Sequence, residues 1–184
     1  LKSAYNKYRN IDKIWYTMPY KLSQKVRNTL GMLESSNNYL KENDYGALGK
    51  YQFLPDALID IGYMNKSHQW IGKDGINSKN DFLNSSEIQE KALDEFFEKK
   101  YIQLGAENLF QYEGLPIKGI VNDFHISATG MLLAAHRQGA RNVKRYIETL
   151  DKDLDGKYYI NYDKLPKQIA DKFKTIETRL RIFE

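Results

Sequence analysis

Leu22, Val26, Leu30 and Leu33 recur every three or four positions, a spacing that predicts an amphipathic helix from about Lys21 to Ser35. From Asn37 to Gly49 the chain turns to Asn, Asp, Tyr and Gly and reads as loop, and Lys50-Tyr-Gln-Phe53 follows as a short extended or bridging piece. Pro55 suits the first turn of a short helix through Asp60. A second loop, Asn65 to Asn84, carries Trp70, Gly72 and Gly75. Ser86-x-x-Gln89 has the form of a capping box opening a strong helix, with Ile88, Ala92, Phe96 and Leu104 on its buried side. Gly105 to His125 is weakly periodic and has room for a small hairpin. Beyond Ser127, the apolar run Met131 to His136 predicts a buried central helix that Gly139 interrupts. Val143, Ile147 and Leu150 continue as another helix, and Pro166 opens a last one with Ile169, Phe173, Ile176 and Leu180 on one face. This pattern predicts a mainly α (α+β) fold, a helical bundle around a central buried helix with a small irregular or β lobe.

At 184 residues, with 41% hydrophobic and 28% charged positions, the chain has the material for one domain over 1–184 and is not disordered by composition. A net charge of +4 without a Lys/Arg run is too weak for nucleic acid and suits an anionic polymer. No window is apolar enough for a membrane span, and the absence of cysteine excludes disulfides, iron–sulfur clusters and thiol chemistry. His68, His125 and His136 lack metal-ligand spacing, so neither cofactor nor metal is expected. Asp151-Lys-Asp-Leu-Asp-Gly156 imitates the first half of a calcium loop, but Tyr162 stands where a bidentate Glu is needed, which favours a solvated acidic turn. The chain begins at Leu1 instead of Met, as an excised or processed form would.

Glu34 follows Leu33 and stands one turn beyond Leu30, at the edge of the buried face and near the helix C-terminus. Both conditions favour a protonated carboxyl, the form that protonates a glycosidic oxygen. The residues around it carry a resemblance. Glu34-Ser-Ser-Asn-Asn38, then Tyr45-Gly-Ala-Leu-Gly-Lys-Tyr-Gln52, then Pro55 resembles without a gap the signature of soluble lytic transglycosylases, E-S-x-x-N, G-A-x-G-L-M-Q and P, in the branch that includes goose-type lysozymes. Leu133-Ala-Ala-His-Arg-Gln-Gly139 with Val143 resembles the family's second motif, L-A-A-Y-N-A-G. Trp70 to Ile76, Ser78, Asp81 to Leu83, Gln89, Ala92 and Ser127 to Gly130 resemble lysozyme-like domains of phage tails and bacterial secretion effectors. The matches span roughly residues 25 to 165, leaving the first twenty residues and the last helix as extensions.

The resemblance implies a lysozyme-like domain whose small lobe lines a glycan cleft, acting on peptidoglycan strands in the bacterial periplasm or extracellular wall. Glu34 would be the catalytic acid and base. Ser35 would fix the site, Gln52 would hydrogen-bond a sugar, and Gly46 and Gly49 would let the backbone approach the glycan. Tyr51 occupies a motif position and is expected to face substrate. His136 stands where the family has Tyr, and Gln138 lies where the polar contacts differ; both are carried as substrate-binding, with a histidine satisfied inside an apolar helix as the competing reading. Tyr39, Tyr45 and Trp70 read equally as a glycan wall or as core. Further partners of this class are an immunity or inhibitor protein, or a larger tail or secretion assembly. No second carboxylate occupies a required position, which fits a transglycosylase better than a two-carboxylate lysozyme. A hydrolytic muramidase, a chitinase-like hydrolase on the same fold, and a noncatalytic wall-binding module of a tail or secretion apparatus are the alternatives.

Overall fold

The structure is a computed structural model that describes residues 21–184; the expected N-terminal extension lies outside the described residues. Among the described residues, seven α-helices and one four-stranded sheet make a mainly α protein. The backbone divides into two compact units, with a boundary between Glu98 and Lys99.

The unit ending at Glu98 opens with α1 (Gln24–Ser35), capped by Ser23, whose Oγ accepts from the Val26 N–H at 3.2 Å. Arg27, Leu30, Gly31 and Ser35 are its buried residues. At roughly 100° per residue these four share a stripe that includes Glu34, whereas Leu33 lies far round the helix from its centre. Leu33, expected on the buried face, is accordingly 47% exposed. The helix stops because Ser36 and Asn37 both turn left-handed, with φ of 58° and 61°. Helix α2 (Pro55–Asp60) starts at its proline and buries Leu58. Inside the expected second loop lies α3 (Lys79–Leu83), capped by Ser78 and burying Phe82 and Leu83. Five residues are too few to show a helical period, and the Ser78-x-x-Asp81 cap was its one local sign. Helix α4 (Ser86–Ala106) crosses the unit boundary. Its capping serine is Ser85, whose Oγ accepts from Ile88 N–H at 3.3 Å, so the box expected at Ser86 and Gln89 does not form. The core centres on Phe53, edge-on to Tyr51, Phe82 and Phe96 with centroids 5.9 to 6.3 Å apart.

In the unit Lys99–Glu184, α5 (Ala128–Gln138) buries every residue from Gly130 to Ala135 and is the expected central helix. Helix α6 (Ala140–Glu148) follows after the break at Gly139, and α7 (Lys167–Ile182) packs along α5. Gly130 permits that approach, since a Cβ there would stand 3.0 Å from the Leu180 carbonyl oxygen. The expected hairpin pairs β1 (Pro116–Ile117) with β2 (Phe124–His125). A second hairpin, β3 (Asp151–Lys152) with β4 (Tyr158–Tyr159), forms around the expected acidic turn, and parallel pairing of β1 with β4 gives the order β2-β1-β4-β3. Two-residue strands carry no readable alternation, so only the pairing reveals them. In the turn of the second hairpin Asp153 Oδ1 accepts the Asp155 and Lys157 N–H groups, both at 2.9 Å, as an acidic turn does. Glu177 of α7 is buried and accepts from Ile120 N–H at 2.6 Å and from the Tyr162 hydroxyl at 2.8 Å.

A clasped loop beside Glu34: candidate active site

Glu34 occupies the last turn of α1 and is half-buried. Its neighbour Ser35 ties the helix end to the far side of the following loop. The Ser35 hydroxyl donates to the Lys50 carbonyl at 2.7 Å, and its oxygen accepts from Asn38 N–H at 3.0 Å. The loop is further pinned by bridges of Leu48 with Glu42 and with Phe53. Gln52, with φ of 51°, donates from Nε2 to the Gly49 carbonyl at 2.8 Å and to the Lys41 carbonyl at 3.3 Å. Gly49 has φ of 76°, and a Cβ there would stand 2.1 Å from Gln89 Oε1, so glycine is required for both conformation and space. Ser35, Gly49 and Gln52 are therefore brought together with Glu34 in one folded segment.

Tyr51 departs from its expected role. It is 0% exposed, and its hydroxyl donates to Glu90 Oε1 at 2.7 Å, so it belongs to the core and not to a glycan-facing wall. An aromatic ring beside Phe53 gains more from burial than it could at a wet surface. Burial, then the hydrogen bond to Glu90, push its phenol above the usual range. Tyr39 also donates to Glu90, and Trp70 lies against Phe82 at 5.7 Å, whereas Tyr45 is exposed. Among the nearby carboxylates, Glu42 takes both its bonds from Lys79, at 2.9 and 3.0 Å. Asp44 and Asp60 are exposed, and the Asp56 side chain is 94% exposed with His68 at 3.9 Å.

Two residues of α4 emerge here without having been picked out for these roles. Gln89 is fully buried; its Oε1 accepts from Lys50 N–H at 2.9 Å, and its Nε2 donates to the carbonyls of Tyr39, Phe82 and Leu83. Glu90 receives Tyr39, Tyr51 and Lys50 on Oε1 and Arg27 on Oε2 at 2.8 Å, and Arg27 also pairs with Asp94. Burial alone would raise the Glu90 carboxyl, but the hydrogen bonds from Tyr51, Tyr39, Arg27 and Lys50 together outweigh it and hold it down at about 2. The one sequence signal was Lys50, a cation between Ala47-Leu-Gly and Tyr51-Gln-Phe, since a buried cation needs a carboxylate partner; Arg27, flanked by Lys25, Asn28 and Thr29, carried none.

The second matched motif lies in the other unit. Leu133, Ala134 and Ala135 are buried in α5, and His136 and Gln138 are half-buried in its last turn. The Gln138 carbonyl accepts from Asn142 Nδ2 at 2.8 Å across the break at Gly139. Among the described residues no group of three or more His, Asp or Glu is arranged to hold a metal ion, and no helix is long and apolar enough to cross a membrane. Fold and site thus define a mainly α protein with a half-buried glutamate in the last helical turn before a clasped loop. No protein-family model matches the chain, and neither a curated protein nor a solved structure is significantly similar to it.

Proposed function

We propose that the chain is a peptidoglycan-degrading glycosidase of lysozyme-like fold that cleaves the β-1,4 bond between N-acetylmuramic acid and N-acetylglucosamine, acting as a lytic transglycosylase in the bacterial periplasm or extracellular wall. One observation carries the reading. In the ungapped run from Glu34 to Pro55, the matched residues Ser35, Gly49 and Gln52 shape the loop that follows Glu34: Ser35 ties the helix end to the Lys50 carbonyl at 2.7 Å, Gln52 closes the loop on the Gly49 carbonyl at 2.8 Å, and Gly49 leaves room for Gln89.

Glu34, protonated, donates its proton to the glycosidic oxygen as the bond to C1 breaks. The carboxylate left behind accepts the proton of the muramic acid 6-hydroxyl as that oxygen closes on C1, giving a 1,6-anhydro end and restoring the acid. The side-chain nitrogen of Gln52 is committed to the loop, which leaves Oε1 as its acceptor for a sugar N–H or O–H. Intramolecular closure is favoured because the 6-hydroxyl is already tethered, while Glu42 is engaged by Lys79 and Asp56 projects into solvent.

Purified peptidoglycan supplies the test. Glu34→Gln should keep the fold and lose roughly 100-fold or more in rate. Muropeptide masses should show anhydro ends, lighter by one water than reducing ends. Undiminished turnover by a folded Glu34→Gln protein would refute the assignment, and reducing ends alone would make the enzyme a hydrolase.

A further inference from the structure

Tyr39, Lys50 and Tyr51 all belong to the loop between Glu34 and Gln52, and all three aim their polar atoms at one oxygen of Glu90, at 2.8, 3.1 and 2.7 Å. The other oxygen takes Arg27, which lies on α1, the helix that carries Glu34. One residue earlier, Gln89 binds the main chain of the same loop, through Lys50 N–H and the Tyr39 carbonyl. Adjacent positions on α4 therefore divide the work: Gln89 holds the loop's backbone, and Glu90 holds its side chains and the helix before it.

We propose that Glu90 is a positioning residue of the active site, a single carboxylate that sets the loop Asn38–Phe53 against α1 and thereby fixes Gln52 and the loop backbone relative to Glu34. The proposal rests on the glycosidase reading above. Four donors converge on Glu90, and only an ionised carboxylate, acceptor at both oxygens, satisfies them all. An amide presents N–H groups on one side, and these meet either the Arg27 guanidinium or the loop's donors, so one of the two elements is released. Glu90 touches neither substrate nor reacting atoms in this scheme; it acts through the placement of other groups, where small displacements carry large rate penalties.

The test uses the full chain and compares wild type, Glu90→Gln, Tyr51→Phe and Glu34→Gln for turnover of purified peptidoglycan and for amide hydrogen exchange. Glu90→Gln should accelerate exchange in residues 38–53 while leaving α5 protected, and should lower kcat roughly 10- to 100-fold with KM changed by less than about threefold. Tyr51→Phe removes one donor without stranding a charge and should move both readouts the same way to a smaller extent, which keeps the test decisive if Glu90→Gln fails to fold. Unchanged exchange in the loop, or faster exchange with wild-type kcat, would overturn the positioning role. Loss of activity in Glu34→Gln together with full activity in both clamp variants would refute the role of Glu90 and leave the glycosidase reading standing. An inactive wild type would refute that reading, and the proposal with it.

Discussion

Gly49→Ala should destabilise the protein through a clash with one identified atom, and a double-mutant cycle isolates it. Alanine at φ of 76° costs about 1 kcal/mol in backbone strain alone. Its Cβ would also lie 2.1 Å from Gln89 Oε1 and 2.6 Å from Gln89 Cδ, too close for either to stay. Moving the Gln89 amide leaves Lys50 N–H without its acceptor in a buried site, adding about 1–3 kcal/mol. The single variant should therefore lose roughly 3 kcal/mol. Gln89→Ala should itself cost about 2–4 kcal/mol, since its side chain makes four hydrogen bonds to backbone groups in the interior. On the Gln89→Ala background the clash has no partner, so Gly49→Ala should then cost only about 1 kcal/mol. Urea unfolding followed by tryptophan fluorescence, to which Trp70 against Phe82 contributes, measures all four corners of the cycle. Costs that add to within about 0.5 kcal/mol would refute the mechanism, because independent sites add and a shared clash cannot.

Acid should weaken the clamp at Glu90. Its folded carboxyl sits at about 2 against an ordinary 4.5, so its contribution is fully present above about pH 4.5 and is lost as pH falls towards 2; Glu90→Gln should flatten that limb in acid titrations followed by circular dichroism, and an unchanged limb would exclude Glu90 as its source. Glu177→Ala should cost about 2–4 kcal/mol in thermal unfolding, because Ile120 N–H and the Tyr162 hydroxyl lose a buried acceptor; a cost under about 1 kcal/mol would show that the bonds are replaced. On the proposed function, chelation should leave peptidoglycan turnover unchanged, and a loss restored by calcium would turn the Asp151 to Gly156 turn into a binding loop.

The helices that α1, α5, α6 and α7 became were legible in the sequence, since each is long enough for apolar residues to repeat at the helical period, and the breaks at Pro55, Gly139 and Pro166 were marked by residues with restricted or special backbone geometry. The short helix at Lys79–Leu83 and the hairpin at Asp151–Tyr159 were not, because elements of two to five residues are stabilised by their partners and not by a local pattern. Ser35, Gly49 and Gln52 could be grouped in advance because they lie in one short segment after Glu34, where a local pattern can register them. Which tyrosine faces solvent could not be read, and Tyr51 was misplaced, because position in a motif says nothing about which side of a loop the core lies on. The roles of Gln89 and Glu90 were equally hidden. Glu90 meets Tyr39, Lys50 and Tyr51 from some forty to fifty positions away, and a hydrogen-bonded network closed over that distance is written in the packing of α4 against the loop, where no local spacing can record it.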